Sequence, residues 1–216
     1  MGAATPLLQV RALSGHRGER SLFAGLDFSL AAGELIWLRG RNGRGKTTLL
    51  RLLAGLSTPT AGEIAVDGVP LRQARTAWRT QMAYVGHANA LKDDLSAAEA
   101  LRFVAQLRGE APPAGAIDQA LQRLGVESRR RAPVRTLSQG QRRRVALARL
   151  ALPAPPRLWL LDEPFDALDD DGVEALNTLL AEHAARGGAV LLTSHLPLSL
   201  HNPVPRVLDL DRFAPA

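Results

Sequence analysis

The sequence contains no cysteine. That excludes disulfides, a thiol nucleophile and a thiolate metal site, and it fits a reducing, cytosolic setting. Lysine is nearly absent as well: Lys46 and Lys92 are the only two, so the net charge of +6 is carried almost entirely by arginine. A basic surplus suits nucleic acid, an anionic membrane surface or a phosphate ligand. No RNA- or DNA-binding motif accompanies it, and solvated arginine-rich faces are the plain reading. No apolar run approaches the roughly 20 residues a membrane-spanning helix needs. Residues 1–10 lack the basic start, apolar stretch and small-residue cleavage site of a secretory signal. The expectation is a soluble chain whose membrane role, if any, runs through a partner. Internal repeats and low-complexity tracts are missing too. What is present is ordinary for a globular domain: 216 residues, 46% apolar and 22% charged, enough for one sizeable core.

Apolar alternation at Leu8 and Val10, and again at Leu22, Phe23, Leu26, Phe28 and Leu30, predicts opening β-strands around a glycine-rich turn over 14–18. Residues 35–38 read as a short buried strand. It runs straight into a glycine loop, and Leu49, Leu50, Leu52 and Leu53 then predict a helix closed by Gly55. Strand-like pieces follow over 63–66 and 82–85. Helical spacing sets in with Ala97, Leu101, Val104 and Leu107, and with Ile117, Leu121 and Leu124, the two helices parted by a loop holding Pro112 and Pro113. After Pro153, Pro155 and Pro156 come a buried strand over 158–161, a helix over 173–185, a strand over 189–193 and a last strand over 207–210. Residues 212–216 are expected to fray. The fold class is therefore α/β, a single domain over 1–216 with a helical subdomain over about 88–152 inserted in the α/β core.

The glycine loop carries the chemistry. Gly40, Arg41, Asn42, Gly43, Arg44, Gly45, Lys46 and Thr47, followed by Thr48, satisfy the full G-x-x-x-x-G-K-[ST] pattern between a strand and a helix. Its glycines let backbone N–H groups close around phosphate oxygens, and the helix N-terminus adds partial positive charge. Lys46 is expected on the β- and γ-phosphates and the Thr47 hydroxyl on Mg²⁺. Further on, the apolar strand over 158–161 ends in Asp162, a carboxylate suited to hold Mg²⁺ through its water shell. Glu163 follows at once and is placed to polarise an attacking water as general base.

Leu137, Ser138, Gln139, Gly140 and Gln141, standing between these two motifs, resemble the signature sequence of the ATP-binding cassette (ABC) ATPases. That resemblance implies a P-loop NTPase core of the RecA-like kind with an antiparallel β edge and an inserted helical subdomain. It implies ATP and Mg²⁺ as ligands, and an ATP-dependent homodimer in which Ser138 to Gln141 of one copy cap the ATP held by the other. His195, in the run Thr-Ser-His, matches the family's histidine on the γ-phosphate, and Asp169 the loop that contacts the opposite copy, with Asp166 in place of a small residue before it. Two departures stand out. His87 occupies the place of a glutamine that touches Mg²⁺ and couples to the membrane partner, so it reaches the metal through water or serves coupling alone. Arg17 falls where an aromatic residue usually stacks on adenine, which implies a relaxed preference for ATP over GTP.

The runs Tyr84-Val85-Gly86-His87 and Leu91-Lys92-Asp93-Asp94-Leu95-Ser96, the glycine loop and the segment 161–169 are similar to one branch of that family, the ATP-binding subunits of haem exporters in cytochrome c biogenesis. The resemblance implies peripheral attachment at the cytoplasmic face of the bacterial inner membrane, integral membrane permease subunits as partners, and hydrolysis coupled to release of a haem-loaded chaperone. No Cys is present and the five histidines form no plausible haem-ligating pair, so direct haem ligation is not expected. Two alternatives stay open: a cassette serving another permease, and a soluble cassette acting on ribosomes or DNA. Only the runs Arg129 to Arg131 and Arg142 to Arg144 speak for the last, and no nucleic-acid partner is expected.

Overall fold

A computed structural model of the chain describes residues 5–198, 200 and 202–215. These divide into two compact units, one of residues up to 84 with 156–162 and 183 onward, the other of 85–155 with 163–182.

The first unit holds two sheets. β1 (Leu8–Arg17) and β2 (Arg20–Leu30) form an antiparallel hairpin, β4 (Ala61–Val66) pairs with the other side of β1, and β5 (Val69–Pro70) completes the order β2-β1-β4-β5. The turn expected over 14–18 is instead strand up to Arg17, and the chain reverses at Gly18 and Glu19. Register shifts between Val10 and His16 bend the strand, and Gly15 serves packing, because the Phe23 ring fills the space a Cβ would need. The second sheet has the order β6-β7-β8-β3-β9, built from β3 (Leu35–Arg39), β6 (Met82–Val85), β7 (Leu158–Leu161), β8 (Ala189–Thr193) and β9 (Arg206–Asp209). β7, β8, β3 and β9 run parallel. Every residue of β7 and β8 is buried, the unbroken apolar run that parallel strands covered on both faces require.

α1 (Lys46–Leu53) follows β3, with Leu49, Leu50, Leu52 and Leu53 all in the core. α2 (Leu71–Gln81) has no counterpart in the sequence reading. It is arginine-rich and mostly exposed, and Trp78 anchors it, buried with its Nε1 donating to the Leu53 carbonyl at 2.9 Å. β9 ends at Asp209, one residue before the predicted limit, where a 3-10 turn (Leu210–Phe213) begins. Fraying from Arg212 is corrected for Arg212 and Phe213, which complete this turn with Phe213 packed against the core, while Ala216 lies outside the described residues.

The second unit is helical: α3 (Ala97–Leu107), α4 (Ala116–Arg123), α5 (Gln139–Ala148) and most of α6 (Asp170–Ala185). Ser96 and Glu99 form a reciprocal capping box on α3, and Ser138 and Gln141 form another on α5. Ala100, Leu101, Ala120, Leu121, Val145 and Leu147 are buried, and the first three helices pack on one another. α6 starts at Asp170 rather than Val173, because the Asp169 carboxylate accepts the Gly172 N–H at 3.0 Å and caps it.

Candidate nucleotide site

Three parallel strands of the first unit, β3, β7 and β8, end at the same edge of the sheet, with β8 between the other two. The carboxyl edge of such a sheet is where ligands bind. The loop after β3 is the glycine loop. Gly40, Gly43 and Gly45 have φ of 146°, 76° and 107°. A Cβ on Gly45 would also come within 3.0 Å of the Leu22 side chain, so the bare backbone is required by conformation and by space. Gly45 caps α1 without any side-chain hydrogen bond, which leaves the first N–H groups of the helix for an anion. Lys46 Nζ donates to the Gly40 carbonyl at 2.8 Å, folding the side chain back along the loop. Thr47 is exposed in the first turn, Thr48 is half-buried, and Asn42 is exposed.

Arg41 and Arg44 are tied down by a residue the sequence reading missed. Asp211, in the turn after β9, accepts the Arg41 N–H at 3.0 Å and Arg44 Nε at 2.8 Å, with the Arg41 guanidinium 3.6 Å away. The Arg44 bond is the main cause that holds the Asp211 carboxyl below its ordinary range. A cleft of about 420 Å³ opens here, lined by Gly40, Arg41, Lys46, His195, Asp209 and Asp211 among others. His195 is exposed. The backbone before it is fixed to β3, because Trp37 Nε1 donates to the Ser194 carbonyl at 3.2 Å.

Asp162, at the end of β7, is 2% exposed, and the Thr193 hydroxyl at the end of β8 donates to its Oδ1 at 3.0 Å. Burial, and after it the Asp162 charge, pushes the neighbouring Tyr84 phenol up. Asp162 and the Thr47 hydroxyl offer oxygen, which magnesium prefers. An ion that keeps its waters and takes phosphate oxygens needs only one or two protein ligands. The donor set fits MgATP.

The second unit holds the remaining candidates. Glu163 is buried and has φ of 47°, a left-handed conformation uncommon for any residue with a Cβ. Ser138 and Gln139 are exposed at the start of α5. Ser138 Oγ accepts the Gln141 N–H at 3.2 Å, and Gln141 Oε1 accepts the Ser138 N–H at 3.1 Å. Accepting leaves the serine O–H free to donate. Gly140 packs against the loop before α6, where a Cβ would stand 2.7 Å from the Ala167 carbonyl. Asp169 accepts from Arg144 as well as from Gly172, and the Gly172 bond first holds its carboxyl below the usual range. His87 is exposed, and its Nδ1 lies 3.7 Å from Asp166, so the two unusual residues of the sequence reading meet each other. Arg17 sits exposed beside the hairpin reversal of the first unit, opposite Arg20.

Thr193, Asp211 and Arg143 belong to these sites and escaped the sequence. Thr193 opens the run Thr-Ser-His and Arg143 follows the signature, but their partners lie 31 and 20 residues away or more, beyond any local pattern.

Residues 23–166 match the family described as ABC transporter. A curated relative, the cytochrome c biogenesis ATP-binding export protein CcmA 2 of Cupriavidus metallidurans, is 46% identical over 207 residues, 96% of either chain. Among solved structures, an ABC transporter ATP-binding protein from Pyrococcus furiosus is 27% identical and covers 96% of this chain and 99% of that one at a TM-score of 0.82. A bacterial ABC transporter cassette solved as a dimer is 25% identical, covers 88% of each chain and has a TM-score of 0.76.

Proposed function

The chain belongs to the ABC transporter family, and from that premise we propose that it is the ATP-hydrolysing subunit of the haem-handling exporter complex of cytochrome c biogenesis. The observation that carries the branch is the 46% identity, over 96% of either chain, with a relative named as a cytochrome c biogenesis ATP-binding export protein. Among the described residues no helix is long and apolar enough to cross a membrane. In this reading integral permease subunits span the membrane, and the chain sits at the cytoplasmic face of the bacterial inner membrane.

The cycle needs two copies. In each, the N–H groups of the glycine loop and Lys46 bind the ATP phosphates, and Thr47 and Asp162 would hold Mg²⁺. Magnesium, when bound, neutralises charge on the β- and γ-phosphates. Glu163 polarises the attacking water, and His195 donates to the γ-phosphate. Ser138 to Gln141 of the second copy close over the same phosphate, so that ATP joins the pair and hydrolysis releases it. His87, beside Asp166, is assigned to coupling with the permease rather than to the metal. Release of a haem-loaded chaperone is the step this hydrolysis drives.

The test is haem staining of c-type cytochromes in a strain deleted for this chain and complemented with wild type or with Glu163→Gln. Staining restored by wild type alone is the expected result. Undiminished staining in the deletion strain would leave the ATPase in place and remove the cytochrome c assignment, turning attention to a different permease.

A further inference from the structure

We infer that Arg143 is a positioning residue for the hydrolytic carboxylate, bracing the backbone of Glu163 and tying it to the loop that carries His87. The inference rests on the general-base reading of Glu163. Arg143 stands on α5, five residues beyond Ser138, in the middle of the run Arg142 to Arg144. Although charged, it is only 3% exposed. Its Nη2 donates to the Glu163 carbonyl at 2.6 Å and its Nε to the Pro164 carbonyl at 3.3 Å. On its other side Nη1 donates to the Gly86 carbonyl at 2.9 Å and to Asn89 Oδ1 at 3.2 Å.

Two features make this more than a satisfied buried charge. Glu163 holds the left-handed φ of 47°, and such a conformation persists only where the surroundings over-determine it. The guanidinium grips the two successive carbonyls, of Glu163 and Pro164, through which the chain turns at that point. The second feature is the far end of the grip. Gly86 and Asn89 flank His87, and His87 itself lies 3.7 Å from Asp166. Loop 86–89 is thus joined to segment 163–166 by Arg143, and His87 lies close to Asp166 beside that joint. A displacement of that loop by a membrane partner pulls directly on the peptide that aims the Glu163 carboxylate.

The guanidinium is a rigid planar fork with donors on separate nitrogens, whereas a lysine ammonium is a single point. Arg143→Lys keeps the charge and loses the span. With the purified full chain, Arg143→Lys is expected to lower kcat for ATP hydrolysis by about tenfold or more, since small misplacements of a catalytic group are costly. KM for ATP should stay within about twofold, because the phosphate-binding groups are untouched. Asn89→Ala removes one acceptor and keeps the arginine, so it carries the test if the lysine variant fails to fold. Its expected kcat loss is about threefold, the scale of one hydrogen bond. An arginine that merely stabilised the fold would lower Tm and leave kcat per folded molecule at the wild-type value. Wild-type kcat in the folded variants, with Glu163→Gln inactive beside them, overturns the brace alone. Hydrolysis by Glu163→Gln overturns the general-base reading, and the brace with it.

Discussion

His183 sets a pH limit on the fold that nothing in its sequence neighbourhood announces. Its imidazole stacks on the Trp159 indole, ring centroids 3.8 Å apart, and lies against Gly188, where a Cβ would run into the ring. Burial pushes its pKa down from 6.5 to about 4. Between those values the unfolded chain takes up a proton that the folded chain refuses, so this contribution to stability is whole above pH 6.5 and is lost as the pH falls toward 4. Thermal unfolding followed from about pH 7 to pH 5 should show Tm falling in the wild type. It should fall less in His183→Phe, which keeps an aromatic ring on Trp159 and cannot be protonated. Equal falls in both would show that other groups carry the acid sensitivity. The sequence treats His183 as one histidine among five, because what buries it is the approach of Gly188, a tertiary fact. His195 was legible for the opposite reason: it belongs to a local run with a recognisable place.

At the scale of elements the contrast repeats. β3, the glycine loop and α1 are legible because strand, loop and helix follow one another within one stretch of chain, and each glycine answers a local backbone demand. α2 escaped because its exposed arginines drown a signal carried by Leu71 and Trp78, and the latter is held by Leu53 from another element. The C-terminal turn escaped for a similar reason: Leu210 and Asp211 matter only through β3 and the glycine loop, some 170 residues away. Asp211 gives a prediction at this scale. Asp211→Asn removes the charge that holds Arg41 and Arg44 and should loosen the loop, raising KM for ATP about threefold with kcat little changed. Nucleotide titration together with steady-state kinetics checks it. An unchanged KM would make the turn a packing element only.

At the scale of the molecule, the two units divide the labour that the motifs announce. The glycine loop, Asp162 and His195 fall in the first, Glu163, His87 and the signature residues in the second. The motif residues could be named from sequence because each lies in a short recognisable string. Their supports, Thr193, Asp211 and Arg143, could not, because folding alone brings them there. The central claim is that two copies bind ATP between them and that Glu163 drives its hydrolysis. The measurement that tests it most directly is light scattering of Glu163→Gln with and without MgATP, paired with phosphate release and with Lys46→Ala as the binding-deficient control. The account predicts two chains per particle for Glu163→Gln in MgATP, one chain without it, one chain for Lys46→Ala throughout, and no steady phosphate release from either variant. Phosphate release by Glu163→Gln at the wild-type rate, or a single chain at saturating MgATP, would contradict it.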